Sequence, residues 1–182
     1  MAKKKIVLTG GPGGGKTTLI ELLKAKGHIC FDEISREQIE RAKHNGDVHA
    51  FGDNPIAFSQ PLWKGRIRQY HDAQKVLNQE NTAHVFFDRG LPDVVAYLST
   101  TERQKTQWED ALNQYRYDLV FLLQPQRSFY QKDSQRMESY AEALRLHHSI
   151  KSVYEQFGPV IEVPFLSPAD RLIFILRHCD DE

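Results

Sequence analysis

The sequence predicts an α/β protein of three layers, a five-stranded parallel sheet with helices on both faces. Three observations carry that prediction. Short apolar runs alternate with amphipathic segments along the chain, the pattern of repeated βα units. The most apolar run, Leu119-Val120-Phe121-Leu122-Leu123, is continuous rather than alternating, as a strand covered on both faces must be. Five of the 11 glycines fall within residues 10–15, between an apolar run and an amphipathic one.

The elements follow in order. Ile6-Val7-Leu8 is a first strand, and residues 17–26 form a helix with Leu19, Ile20, Leu22 and Leu23 as its apolar stripe, stopped by Gly27. His28-Ile29-Cys30-Phe31 is a second strand ending at Asp32-Glu33, and residues 35–44 read as a polar helix before Asn45-Gly46. Asn54 is an N-cap with Pro55 in the first helical position, opening a long helix to about residue 79. Pro61 and Gly65 allow a kink or a later start. His84-Val85-Phe86-Phe87-Asp88 is a buried strand ending in an acid, and helices are expected over 92–99 and 103–115. The fourth strand covers 118–124 and a polar stretch 126–136. Residues 138–157 are helical, with Tyr140, Leu144, His147, Ile150, Tyr154 and Phe157 on one face. A last strand at 160–163 and a helix at 170–178 complete the chain. Trp63 and Trp108 read as packing anchors.

Composition narrows the function. The 182 residues suit one domain, read as 1–182 with a lid at 125–137. Lys+Arg and Asp+Glu are 24 each, so a balanced net charge gives no support to nucleic acid as a partner. No apolar run approaches the ~18 residues of a membrane span. Only Ile6-Val7-Leu8 follows the N-terminal lysines as an apolar stretch, too short for the core of a signal peptide, and the expected location is cytoplasmic. Cys30 and Cys179 make no metal spacing and no disulfide framework. His147-His148 suggests no metal site, because adjacent helical positions face apart.

The glycine cluster reads Gly10-Gly11-Pro12-Gly13-Gly14-Gly15-Lys16-Thr17, the complete G-x-x-x-x-G-K-[ST] phosphate loop, with a strand before it and a helix after it. Backbone N–H groups of Gly11, Pro12's neighbours, Gly13, Gly14, Gly15 and the helix start through Thr18 can converge on one anion. The helix adds its positive end. Lys16 brings a full charge to the β- and γ-phosphates, and the Thr17 hydroxyl is placed to ligate Mg2+.

A second constellation lies at the strand ends. Val85-Phe86-Phe87-Asp88 has the form of a Walker B strand, with its acid at the carboxyl edge where ligands bind in open α/β sheets. Asp88 can hold Mg2+ through water or take a proton from a hydroxyl. Glu33, Arg36 and Arg89 are candidates to hold an acceptor, although a carboxylate at position 33 also suits a helix N-terminus. Arg127, Lys132 and Arg136 supply cations to a lid, and Arg136, close to Glu138, has the strongest claim to act on the migrating phosphoryl group. Arg66, Arg68 and His71 form a basic stripe on the long helix, which either approaches an anionic acceptor or, the favoured reading, faces solvent.

These motifs resemble a family of small P-loop ATPases that carry an AAA label. The family is similar to the ribosylnicotinamide kinase domain of a bacterial NAD-biosynthesis regulator. The resemblance rests on Leu8-Thr9-Gly10-Gly11-Pro12 through Lys16-Thr17-Thr18, on Phe87-Asp88-Arg89-Gly90-Leu91-Pro92-Asp93, and on Tyr115-Arg116-Tyr117-Asp118. Asp133, Arg136 and Glu138 match its later polar motif. It implies a nucleoside-kinase-like P-loop NTPase fold with the Walker B strand beside the phosphate-loop strand. It also implies that Asp88 and Arg89 meet Mg2+ or acceptor, that Arg136 belongs to the lid, and that residues 164–167 lie against adenine. It does not imply a hexameric AAA+ motor, whose larger module with a helical lid domain has no room in 182 residues filled by one sheet.

The expected activity is a phosphotransferase moving the γ-phosphate of ATP, with Mg2+, to a small nucleoside-like acceptor. No Asn-Lys-x-Asp guanine motif is present, which favours ATP. The resemblance extends to animal proteins that bind GTP, so GTP stays open. The alternative is a nucleotide-dependent regulatory binding module with slow hydrolysis. Oligomeric state is left open.

Overall fold

The computed structural model describes residues 3–35, 54–79, 82–127 and 139–180. Five strands form one sheet: β1 (Lys4–Thr9), β2 (Ile29–Phe31), β3 (His84–Asp88), β4 (Leu119–Leu123) and β5 (Ile161–Val163). Their order is β2-β3-β1-β4-β5, and every pairing is parallel. The acid-terminated strand β3 therefore lies directly beside β1, with Leu8 opposite Asp88.

The period-2 geometry of strands sorts the core into two layers. Val7, Val85, Phe87, Val120 and Leu122 point to one face. There they meet α2 (Pro55–Gln79), α3 (Leu91–Ala96) and α6 (Tyr140–Glu155). Ile6, Leu8, Phe86, Phe121 and Leu123 point to the other, against α1 (Lys16–Ala25) and α7 (Pro168–Asp180). The three-layer architecture matches the expectation, and the ends of the central strands are buried from both sides.

Local signals explain most boundaries. Asn54 caps α2, with its Oδ1 accepting from the Ala57 N–H at 3.1 Å. Helix α2 runs unbroken through Pro61 and Gly65. Gly65 is not a break but a point of close approach, since a Cβ there would lie 2.6 Å from Ile34 Cδ1. Ser139 and Glu142 form a capping box that starts α6. Trp63 of α2 stacks on Trp108 at 5.1 Å between ring centroids, the packing role expected of both.

The segment expected as one helix over 103–115 is divided. A Ser99–Glu102 capping box starts α4 (Thr100–Thr106) earlier than expected. Gln107 then takes a left-handed backbone with φ 57°, separating α4 from the short α5 (Trp108–Ala111) and a 3-10 turn over Leu112–Gln114. All but the first residue of the expected helix at 35–44 and most of the polar stretch 126–136 lie outside the described residues, as do Arg36, Lys132, Asp133, Arg136 and Glu138. Arg127 is exposed. Among the described residues, no helix is long and apolar enough to cross a membrane.

Candidate active site

The site forms where β1, β2 and β3 end side by side. The chain leaves β1 at Thr9 and turns through residues 10–15 into α1, whose N-cap is Gly15. Gly10 has φ 127°, and a Cβ there would sit 2.1 Å from the Leu123 carbonyl oxygen, so only glycine lets the loop hug the end of β4. Behind the loop, the Ala143 carbonyl and His147 of α6 pack against Gly11. His147 is buried as expected and His148 exposed. Burial, followed by the neighbouring His148, holds the His147 imidazole down at about 4.

Lys16 folds back over this loop. Its Nζ donates to the carbonyl oxygens of Gly10 at 2.8 Å and Gly11 at 2.9 Å. Burial, with Arg89 adding repulsion, lowers its ammonium from 10.5 to about 7. A cation in such a place is undercompensated, which suits it to an arriving polyanion. Thr17 and Thr18 follow it on α1 and are exposed.

Asp88 ends β3 and is 4% exposed. Burial and the neighbouring Glu33 carboxylate raise its pKa, against the pull of Lys16, Arg89 and Arg66. Arg89 follows with φ 70°. Its Nη1 donates to the Gly10 carbonyl oxygen at 3.2 Å, so Lys16 and Arg89 converge on one oxygen of the phosphate loop. Its Nε meets Glu33 Oε2 at 2.5 Å. Glu33 and Arg89 stand two residues beyond the paired Phe31 and Phe87, so the sheet register brings them level. Burial alone would raise the Glu33 carboxyl, but Arg66 and Arg89 hold it at about 2.

The basic stripe of α2 is a correction. The solvated reading favoured for Arg66 does not hold, since it is 3% exposed and lies among Glu33, Asp88 and Arg89. Its Nη2 meets Glu33 Oε1 at 2.6 Å, and its Nη1 donates to the carbonyl oxygens of Asp88 and Arg89 at 2.7 and 3.1 Å. Gly65 beside it faces the Ile34 side chain, in the segment that follows β2.

Asp93 is also part of the cluster and was not singled out as a site residue. Its Oδ1 accepts from Thr9 Oγ1 at 2.6 Å and Arg89 Nη1 at 3.0 Å. Its Oδ2 accepts from the Gly90 N–H at 2.9 Å and Tyr154 Oη at 2.6 Å. On the opposite side of the phosphate loop, Arg171 of α7 donates to the Gly14 carbonyl oxygen at 2.9 Å and lies over the Phe165 ring at 5.0 Å. Residues 164–167, expected beside adenine, thus border the loop through Arg171.

The residues that could hold a hard cation are Thr17 and Asp88, a hydroxyl on the exposed start of α1 and a carboxylate at the end of β3. Oxygen-only ligands of this kind fit Mg2+ held largely by phosphate and water. Among the described residues, no cluster of three or more His, Cys, Asp or Glu could hold a metal by itself.

Solved structures share the fold. The deoxyadenosine kinase of M. mycoides with bound dATP superposes with a TM-score of 0.69 at 18% identity, covering 96% of this chain and 98% of that one. Thymidylate kinase of Candida albicans gives 0.64 at 15% identity, covering 99% and 92%. The NadR protein in complex with NAD and AMP-PNP gives 0.66 at 18% identity, covering 99% of this chain and 50% of that one. No curated protein matches the sequence. A family model described as an AAA domain matches residues 5–171, and the chain belongs to that family.

Proposed function

We propose that the protein is a phosphotransferase that moves the γ-phosphoryl group of ATP to a hydroxyl of a small, nucleoside-like acceptor. One observation carries this reading. The phosphate-loop lysine and an arginine from the adjacent strand end meet at the same Gly10 oxygen, and the residue directly before that arginine is a buried acid, Asp88, opposite Leu8 in the sheet. Triphosphate binding alone needs only the loop. A buried, charge-paired wall of Glu33, Arg66, Arg89 and Asp93 beside it is what positioning a second reactant requires.

In this reading the loop amides over residues 11–18 and Lys16 hold the triphosphate, and Thr17 and Asp88 hold Mg2+, which neutralises phosphate charge. The other role open to Asp88, in place of holding the metal, is to take the proton of the acceptor hydroxyl. Glu33 with Arg89 holds the acceptor. The Glu33 carboxylate is committed to two arginines and is a poor base. Residues 125–137 are the lid of a single domain, contributing Arg136. The bound Gln126 N–H to Gly13 carbonyl contact, 3.4 Å, ties the start of that segment to the phosphate loop.

The test is a thermal-shift screen of nucleosides in the presence of Mg2+ and a non-hydrolysable ATP analogue. At least one nucleoside is expected to raise the melting temperature beyond ATP analogue alone. A screen in which none does, together with slow hydrolysis that no nucleoside changes, favours the regulatory binding module instead.

A further inference from the structure

Asp93 lies in the first turn of α3, where an acid is ordinarily a helix cap. The Gly90 N–H to Oδ2 contact fits that role. The rest of its environment does not. Its carboxylate is buried, and a cap has no need of Thr9 from β1, Tyr154 from α6 or Arg89 converging on it.

Arg89 is the residue that needs such an anchor. Its left-handed backbone costs a non-glycine residue about 1 kcal/mol or more, and such strain persists only where the surroundings over-determine it. Its N–H donates to the Leu8 carbonyl at 3.0 Å, its Nε pairs with Glu33, and its Nη1 bridges Asp93 and Gly10. None of the hydrogen bonds among the described residues uses Nη2. Glu33 is shared with Arg66, so it cannot fix the direction of Arg89 alone. Asp93 supplies the opposing hold, and it is itself pinned by Thr9 and Tyr154.

We propose that Asp93 is the positioning residue of the site, holding the Arg89 guanidinium at the Gly10 carbonyl so that its remaining donors face the transferring phosphoryl group. This rests on the phosphotransferase reading. Asp93 touches neither substrate and acts through Arg89. Without its charge, Arg89 turns toward Glu33 and leaves the phosphate loop, while the loop itself still binds triphosphate.

The test is a double-mutant cycle of Asp93→Asn and Arg89→Ala, with kcat and KM for ATP measured on the best acceptor found. Asp93→Asn is expected to lower kcat by about 10- to 100-fold, the scale of an ångström misplacement, with KM for ATP changed less than twofold. In the Arg89→Ala background the same substitution is expected to change kcat less than threefold. Multiplying losses, or an unchanged kcat in Asp93→Asn, overturn the proposal. Tyr154→Phe removes one anchor and leaves the carboxylate, so it serves if Asp93→Asn does not fold. A several-fold fall in kcat that vanishes in the Arg89→Ala background is expected, and an unchanged kcat counts against the proposal. A crystal structure of either variant needs no turnover. Arg89 displaced from the Gly10 carbonyl by more than about 1 Å is expected, and an unmoved guanidinium overturns the proposal. If the guanidinium moves but the wild type transfers nothing, the phosphotransferase reading fails and the hold of Asp93 on Arg89 stands.

Discussion

Arg66, in the middle of α2, donates to the main-chain oxygen of Asp88 at 2.7 Å and pairs with Glu33 at 2.6 Å. The long helix is thereby fastened to the ends of two strands through one buried guanidinium. Arg66→Ala removes one of the two guanidinium partners of Glu33, leaving it Arg89 and the Ser35 N–H, and removes the donor to the carbonyls of Asp88 and Arg89. A loss of roughly 3 kcal/mol in urea unfolding is expected, the scale of a broken buried ion pair. Arg66→Lys is not expected to restore it, because a single ammonium cannot reach Glu33 and both carbonyls with planar, divergent donors.

Lys16 makes nucleotide binding pH-dependent. In the free protein its ammonium titrates at about 7, because burial and Arg89 disfavour the charge. A bound triphosphate favours the charge and raises that value. Above about pH 7 binding must therefore take up a proton, and affinity falls as pH rises. Calorimetry at pH 8.5 in buffers of different ionisation enthalpy is expected to show proton uptake in wild type and none in Lys16→Arg, whose guanidinium stays charged. Lys16→Ala is expected to abolish tight triphosphate binding.

Glu33 sets an acid limit on stability. Its folded pKa, about 2, lies below its ordinary 4.5, so its contribution is full above the ordinary value and disappears as pH falls through the folded one. Stability is expected to decline between about pH 5 and pH 2, by roughly 3 kcal/mol from this group. In Glu33→Gln that part of the slope is absent. Denaturant midpoints across the pH range measure the difference.

Asp88→Asn keeps the shape of the strand end and removes the carboxylate. Turnover is expected to fall by about 100-fold or more, with the dissociation constant for ATP changed only a few-fold. Retained turnover excludes Asp88 from the chemistry.

The strands and the phosphate loop were legible because their signals are local. A continuous apolar run, a complete glycine spacing and the acid after Phe87 each act within a few residues. Arg66 was not legible in the same way. On helical spacing with Arg68 and His71 it reads as a solvated stripe, and its burial comes from Glu33 and the end of β3, which meet α2 only in the folded chain. The adjacent Gly65, read as a possible break, instead lies inside an unbroken helix beside Ile34. Asp93 was hidden for a related reason, since an acid in a first helical turn already has a local explanation. Its other partners, Thr9 and Tyr154, lie 84 and 61 residues away in sequence and meet it only once β1, α3 and α6 pack. The division of the 103–115 helix turned on the left-handed backbone of Gln107, a conformation its residue type does not announce.

The most direct measurement follows label from γ-32P-ATP with Mg2+ across a panel of nucleosides. The account predicts label on one nucleoside as its phosphate ester, with none formed by Lys16→Ala. Label released only as inorganic phosphate, at a rate that no nucleoside alters, contradicts it.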